Sequence, residues 1–218
     1  MQKAQRTHYL INQMDERLFF PATSRNRDCI AEALSKFLPD KGSVLEIASG
    51  SGEHGVAFQK LFPFIKWQTS DPNHSYRKSI RAWIIHQGLE AKMPQPIDLD
   101  VESKPWPLAQ EFRRTLKTIV CINMLHISSW GCTQSLFEES ANHLKKNNLL
   151  ILYGPFQIDG KHTSKSNELF DHSLKTQNPN WGVRDLAEVN AVATSNGLKN
   201  HAVIEMQAHN LLVAFKKS

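Results

Sequence analysis

The sequence predicts an α/β domain in which a mostly parallel sheet carries helices on both faces and is closed at its end by an antiparallel hairpin. Three observations carry this reading. Short apolar runs of strand length, SVLEIA, FIKWQTS, KTIVCINM and LLILYGPF, alternate with segments of helical periodicity. The runs Lys117 to Met124 and Leu149 to Phe156 carry consecutive apolar residues, IVCI at 119–122 and LLILY at 149–153, as strands buried on both faces do. The chain then finishes in two β-rich runs, HAVIEMQ and NLLVAFK, split at Ala208-His209. Parallel neighbours need a helix to return the chain over the sheet, so the alternation implies right-handed crossovers.

Taken in order, Ser24 to Leu38 repeats apolar residues at helical spacing behind a capping-type serine, and Pro39-Asp40-Lys41-Gly42 ends it. Ser43 to Phe62 reads as strand, glycine loop and helix. FIKWQTS leads to Asp71-Pro72 and a helix from His74 to Gln87. A third strand falls around Pro96 to Val101, where prolines blur its limits. The strand Lys117 to Met124 is followed by a helix from Thr133 to Lys146, the strand ending at Phe156, the helix RDLAEVNAVATSNGL and the hairpin. Residues 1–218 form one domain on this reading. Residues 1–23 are an N-terminal extension, and 154–183 an insertion placed to act as a lid over an acceptor.

A chain of 218 residues can bury one sizeable core and is short for two. Its 40% apolar and 22% charged residues are those of an ordinary globular protein. The net charge of +5 is spread over isolated basic residues and pairs such as Arg113-Arg114 and Lys145-Lys146, so a nucleic-acid partner is not expected. Cys29, Cys121 and Cys132 form no C-x-x-C pair, and no metal-ligand spacing stands out, so neither a disulfide framework nor a metal is expected. No apolar run approaches the roughly 18 residues needed to cross a bilayer. The opening MQKAQRTHYL lacks the apolar segment of a secretory signal, which predicts a cytoplasmic protein. The sequence assigns no oligomeric state.

The central motif is VLEIASGSGEHG, with Gly50, Gly52 and Gly55 at the G-x-G-x-x-G spacing of a dinucleotide loop. Glycines there let the backbone turn sharply and approach a ligand, which suits NAD, a flavin or S-adenosyl-methionine. Glu46 separates these. A carboxylate in the strand entering the loop would oppose a pyrophosphate, whereas S-adenosyl-methionine carries an ammonium and a sulfonium. The alternative role for Glu46 is a strand-end carboxylate paired with a lysine. Asp71, 19 residues past Gly52, stands at the end of the second strand, where it can accept both ribose hydroxyls, and it also begins an Asp-Pro-Asn turn. In Asp98-Leu99-Asp100 one carboxylate can take an adenine amino group and the other faces water, with Asp100 preferred.

At these residues the chain resembles class I, seven-strand S-adenosyl-methionine-dependent methyltransferases. More closely it resembles the methyltransferase-like family formerly filed as a domain of unknown function. The resemblance is carried by SRNRD at 24 to 28, LEIASGSGEH at 45 to 54, INMLHISSW at 122 to 130, YGPF at 153 to 156, SNELFDHSL at 166 to 174 and WGVRDLAEV at 181 to 189. It implies a Rossmann-like sheet of seven strands and S-adenosyl-methionine as cofactor. It also implies that Glu46, Ala48, Gly50, Gly52 and Asp71 contact or shape the cofactor site. Arg25, Asn26, His54, Asp100, Asn123 and Met124 are the further candidates for cofactor contact, Arg25 and Asn26 reaching the cavity from the N-terminal helix. Ala48 stands where the superfamily often has glycine. MQAHN at 206 to 210 departs from the family segment, which has Pro and Asn where Gln207 and His209 stand, so no role is assigned to that turn.

Methyl transfer needs an aligned acceptor and a sheltered site, and needs a base only where the acceptor is protonated. Ligands lie beyond the carboxyl ends of strands in open α/β sheets, which places Asn123 to His126 and Tyr153 to Phe156 near the reacting methyl. His126, with an ordinary pKa of about 6.5, can take a proton or can fix the loop through its hydrogen bonds. Asn123 can contact the acceptor or the cofactor, or simply end its strand. Tyr153 is a candidate beside them. Tyr153 and Phe156 form an aromatic wall on this reading, and Asn167, Asp171, Trp181 and Arg184 approach a small-molecule acceptor from the insertion. Arg184 is a clamp for an acidic acceptor, or else Arg184 and Asp185 pair with each other or cap the helix that begins there. The function expected is a methyltransferase acting on a small molecule. A nicotinamide-dependent oxidoreductase and a catalytically inactive binding protein are the alternatives.

Overall fold

The computed structural model describes residues 15–218. The first described helix, α1 (Pro21–Ser35), opens on a proline, whose missing N–H costs nothing in a first turn. Ser24 is therefore not its cap: it lies inside that turn and its Oγ donates to the Pro21 carbonyl at 3.1 Å. The N-terminal extension expected to reach residue 23 thus ends at Phe20, and residues 1–14 of it lie outside the described residues.

The main sheet has β1 (Gly42–Ile47), β2 (Ile65–Thr69), β3 (Leu116–Ile122) and β4 (Leu149–Gly154), parallel in the order β2-β1-β3-β4. Two antiparallel strands extend it, β9 (Leu211–Lys217) against β4 and β8 (Leu198–Glu205) against β9. The sheet is mixed and six-stranded, where seven strands were expected. At Pro96 to Val101 the chain makes a single bridge, Ile97 to Ser70, instead of a strand. The physical reason is in the sequence MPQPI: neither Pro94 nor Pro96 has an N–H to give to a ladder. The Ile97 amide donates to Thr69 O at 3.0 Å and its carbonyl accepts from the Asp71 amide at 3.1 Å. Those two bonds hold Asp98 to Asp100 beside the end of β2.

The pleat divides the core. Leu45, Ile47, Ile119, Cys121, Leu150 and Leu152 face a cluster that includes Leu136 and Phe137 of α5 (Trp130–His143) and Val189 and Ala193 of α7 (Leu186–Ser195). Val44, Val120, Ile122 and Ile151 face the other cluster. There they meet Ile30 and Leu34 of α1, Val56 and Phe58 of α2 (Glu53–Leu61), and Ile80 and Ile84 of α3 (His74–His86). The short α4 (Gln110–Thr115) leads into β3. Strands with two buried faces read as continuous apolar runs, which is why they were legible.

After β4 the chain builds a second, small sheet from β5 (Phe156–Ile158), β6 (Lys161–His162) and β7 (Arg184–Asp185), in the order β6-β5-β7. Between β6 and β7 lies α6 (Lys165–Gln177), capped by Ser164, whose Oγ accepts from the Asn167 amide. Asp185 caps α7 in the same way, accepting from the Ala187 amide. No described helix is long and apolar enough to cross a membrane.

Candidate functional site

The carboxyl ends of β1 to β4 open on one side of the sheet, and there the chain encloses a cavity of about 990 Å³. Position alone makes it the candidate site, because loops leave a parallel sheet at these ends and diverge.

One wall is the loop after β1. Ala48, Gly50 and Gly52 have φ of 54°, 56° and 91°, so the turn runs through left-handed conformations. Alanine at 48 is therefore strained where a glycine would not be. Gly52 is demanded by packing: a Cβ there would lie 2.8 Å from Ile80 of α3. A Cβ on Gly50 would lie 3.0 Å from the Phe20 ring. The loop is pinned to β2 through the Ser49 amide on Ser70 O at 2.8 Å and the Gly50 amide on Asp71 Oδ2 at 3.0 Å.

Asp71 is buried and lines the cavity, with Oδ1 accepting the Asn73 amide at 2.9 Å. Each oxygen thus accepts one backbone N–H and has lone pairs left, so the turn role and a ligand role coexist. Burial pushes its pKa up. Glu46 is 1% exposed. Its Oε2 accepts the Trp67 indole N–H at 2.8 Å, so its partner is this indole and not a lysine. Burial raises the Glu46 carboxyl to about 7. Asp98 takes a bidentate contact from Arg77 at 3.0 and 2.7 Å, which leaves Asp100 as the carboxylate on the cavity wall.

Arg25 and Asn26 of α1 reach the wall, and Asn26 Oδ1 meets His54 Nε2 at 2.9 Å. Burial lowers the His54 pKa to about 4, so it is neutral. Met124 and Asn123 come from the end of β3. Asn123 has φ of 60°, a conformation asparagine tolerates, and its amide donates to Tyr153 O at 2.8 Å. His126 follows in a 3-10 turn, Leu125–Ile127. Its ring is 6% exposed, on the cavity wall and edge-on to Phe170 at 5.4 Å. Burial lowers its pKa to about 4. The Tyr153 hydroxyl accepts Asn210 Nδ2–H at 3.1 Å, and burial pushes its pKa up.

Of the six residues proposed around the acceptor, Tyr153 and Asn167 line the cavity and the other four do not. Phe156 is 2% exposed and belongs to the core. Asp171 is used inside the insertion: Oδ1 accepts the Val183 amide at 2.7 Å, and Oδ2 meets Lys175 Nζ at 2.7 Å and His162 Nε2 at 3.4 Å. Trp181 lies outside the lining, its amide turned to Asn178 O. Arg184 does not clamp an acid, nor does it pair with Asp185. Its guanidinium donates to three carbonyls, Leu125 and Ser128 at 3.1 and 2.6 Å and Asn180 at 2.8 Å, and it lies over the Trp130 ring. It ties the insertion to the turn that carries His126.

Sequence reasoning missed Phe20, Tyr76, Phe170, Gln207 and Asn210, all on the wall. Phe20 is placed by a strap: the Leu18 amide donates to Ser79 Oγ, the Trp83 indole N–H to Leu18 O, and the Phe20 amide to Glu53 Oε2. Phe20 then meets Tyr76 edge-on at 5.5 Å. The turn assigned no role, Gln207–His209, brings Asn210 to Tyr153. Ala208 and His209 sit there at φ of 56° and 57°. No periodicity signals such a turn; only the left-handed pair would, and asparagine at 209 would have made it easier to see.

The main fold is that of solved methyltransferase structures. An O-methyltransferase family protein from Burkholderia thailandensis superposes with a TM-score of 0.74 at 14% identity over 98% of this chain. Human N-acetylserotonin methyltransferase in complex with S-adenosyl-methionine gives 0.72 at 15% over 90%. An O-methyltransferase family 2 protein from Planctomyces limnophilus, in complex with apigenin, gives 0.72 at 18% over 90%. This chain spans 63%, 53% and 60% of those chains, less than two thirds of each. The family model described as "Protein of unknown function (DUF938)" matches residues 17–217, and the chain belongs to that family.

Proposed function

We propose that this protein is an S-adenosyl-methionine-dependent methyltransferase acting on a small molecule. The observation that carries the reading is a single cavity with two unlike ends. Asp71, Asp100 and the Gly50 loop line it beyond β1 and β2, while Met124, Tyr153 and Pro155 line it beyond β3 and β4 together with His126, whose ring meets Phe170. The donor set at the first end fits a cationic nucleoside: Asp71 retains lone pairs for ribose hydroxyls, and Asp100 stands between Leu99 and Val101 for an adenine edge. Glu46, Arg25, Asn26, His54 and Asn123 would enclose the methionine end. Such a donor supplies an electrophilic methyl group. The protein's part is to shelter the site, with residues 154–183 as its cover, to orient the acceptor, and to receive its proton at a ring nitrogen of His126. The complexes with S-adenosyl-methionine and with apigenin support this assignment by likeness of fold.

Thermal unfolding tests it. S-adenosyl-methionine or S-adenosyl-homocysteine at a hundred times Kd should stabilise the protein by about 2.7 kcal/mol. NAD and NADP should not; stabilisation by NAD alone would overturn the proposal in favour of an oxidoreductase. Binding of the homocysteine compound with no transfer to any of a broad set of labelled acceptors would favour an inactive binding protein. Asp71→Asn should weaken S-adenosyl-homocysteine about tenfold, since a charged acceptor is worth more than a neutral one by that order. Titration calorimetry reads the change, and unchanged affinity removes Asp71 from the site.

A further inference from the structure

The acceptor end of the cavity carries a pattern that its function as a methyl-transfer site does not by itself require. Ile127 and Phe170 both line the cavity, yet they are 45% and 40% exposed, so two large apolar side chains stand at its mouth facing water. Behind them lie Met124, Tyr153 and Pro155, buried or nearly so. Docking a flat apolar molecule across the two rim residues would remove their surface from water, which is favourable in proportion to the area covered. A ring could also meet Phe170, which already holds His126 edge-on.

Charge selects further. The guanidinium nearest His126 belongs to Arg184, and its donors are taken by the carbonyls of Leu125, Ser128 and Asn180. Among the described lining residues the cation is Arg25, carried by α1. An anionic group beside His126 would therefore lose its hydration without pairing with the Arg184 guanidinium. His126 has no hydrogen bond to its ring nitrogens among the described contacts and reaches the cavity as a neutral imidazole, able to accept one from a hydroxyl.

Resting on the methyltransferase reading, we infer that the acceptor is an uncharged, flat, largely apolar molecule that enters between Ile127 and Phe170 and presents a hydroxyl to His126. Calorimetric titration of the full protein with naphthol and with naphthoate, in the presence and absence of S-adenosyl-homocysteine, tests this. Naphthol should bind at least tenfold more tightly than naphthoate, because the carboxylate does not pair with the Arg184 guanidinium. Phe170→Ala and Ile127→Ala, both at half-exposed positions, should each weaken naphthol roughly tenfold and change S-adenosyl-homocysteine by less than twofold. Equal or tighter binding of naphthoate would overturn the inference and point to Arg25, and so would parent-like naphthol affinity in both variants. Failure of S-adenosyl-homocysteine to bind overturns the donor reading alone, because the titrations without it decide the acceptor class independently.

Discussion

Glu46→Gln is expected to stabilise the protein above pH 7 and, on the proposed function, to weaken binding of S-adenosyl-homocysteine. Glu46 is fully buried, and its carboxyl titrates at about 7 against an ordinary 4.5. The folded state therefore keeps a proton that the unfolded chain releases near 4.5. The stability this proton provides is complete below pH 4.5 and is lost as the pH rises through 7. At about 1.4 kcal/mol per pH unit, the shift corresponds to about 3 kcal/mol. A glutamine carries no charge to desolvate and still accepts the Trp67 indole N–H, so it should recover that loss. The buried histidines His54 and His126 act in the opposite sense. Their folded pKa values near 4 lie below the ordinary 6.5, so their contribution is complete above pH 6.5 and is lost as the pH falls through 4. They are common to both proteins and cancel in the difference. Denaturant unfolding of the two proteins from pH 4 to 9 should give curves that coincide at the acid end and separate above pH 5, the variant on top. Parallel curves would refute the assigned burial. On the proposed function, the same variant should bind S-adenosyl-homocysteine about tenfold more weakly, since an amide is a poorer partner than a carboxylate for an ammonium. A carboxylate kept in the core at a cost to stability is what a binding role would explain.

The parts of this molecule that could be read from sequence are those in which one physical demand dominates. A doubly buried strand must be largely apolar, and β1, β3 and β4 were legible for that reason although Ser43, Glu46 and Thr118 are buried within them. Asp71 and Asp100 were legible because their chain positions, at the ends of β2 and of the bridge at Ile97, put them at the mouth of the sheet. The illegible parts are those in which polar groups satisfy each other internally. Helix α6 buries Asn167, Asp171 and Leu174. Two of those three are polar, so the helix shows no apolar stripe. Asp171 and Arg184 look like ligand-binding groups in the sequence, and in the fold their bonding capacity is spent internally, Asp171 on the Val183 amide, Lys175 and His162 within the insertion, Arg184 on carbonyls of Leu125, Ser128 and Asn180. Phe156 sits two residues past the end of β4 and could have faced either way. The register of β5 turned it into the core, and left Tyr153 to the cavity.

On the proposed function, His126→Ala should lower turnover by roughly 100-fold or more, the usual worth of a placed general base, with S-adenosyl-homocysteine affinity unchanged. The case rests on which neighbouring group can hold a proton at neutral pH. The Tyr153 hydroxyl is pushed above its ordinary 10 by burial and already accepts from Asn210, so it stays protonated and cannot serve as base. Asn123 has no basic atom. His126 is neutral because burial depresses its pKa to about 4, and Phe170 and the turn tied by Arg184 fix its ring. A base with so low a pKa is a weak one in bulk water, but in a dry site it needs only to receive the proton as the acceptor loses it. As far as this group is concerned, the rate should be level from pH 8 to pH 5 and fall as the pH drops through about 4, where the imidazole becomes charged. Tyr153→Phe should cost only a few-fold, because it removes a hydrogen bond and not the proton acceptor. Single-turnover rates across this pH range separate the possibilities. If His126→Ala retains turnover within a few-fold of the parent, or if the parent loses activity already at pH 6.5, then His126 serves only to hold its loop and the acceptor must arrive without a proton to give.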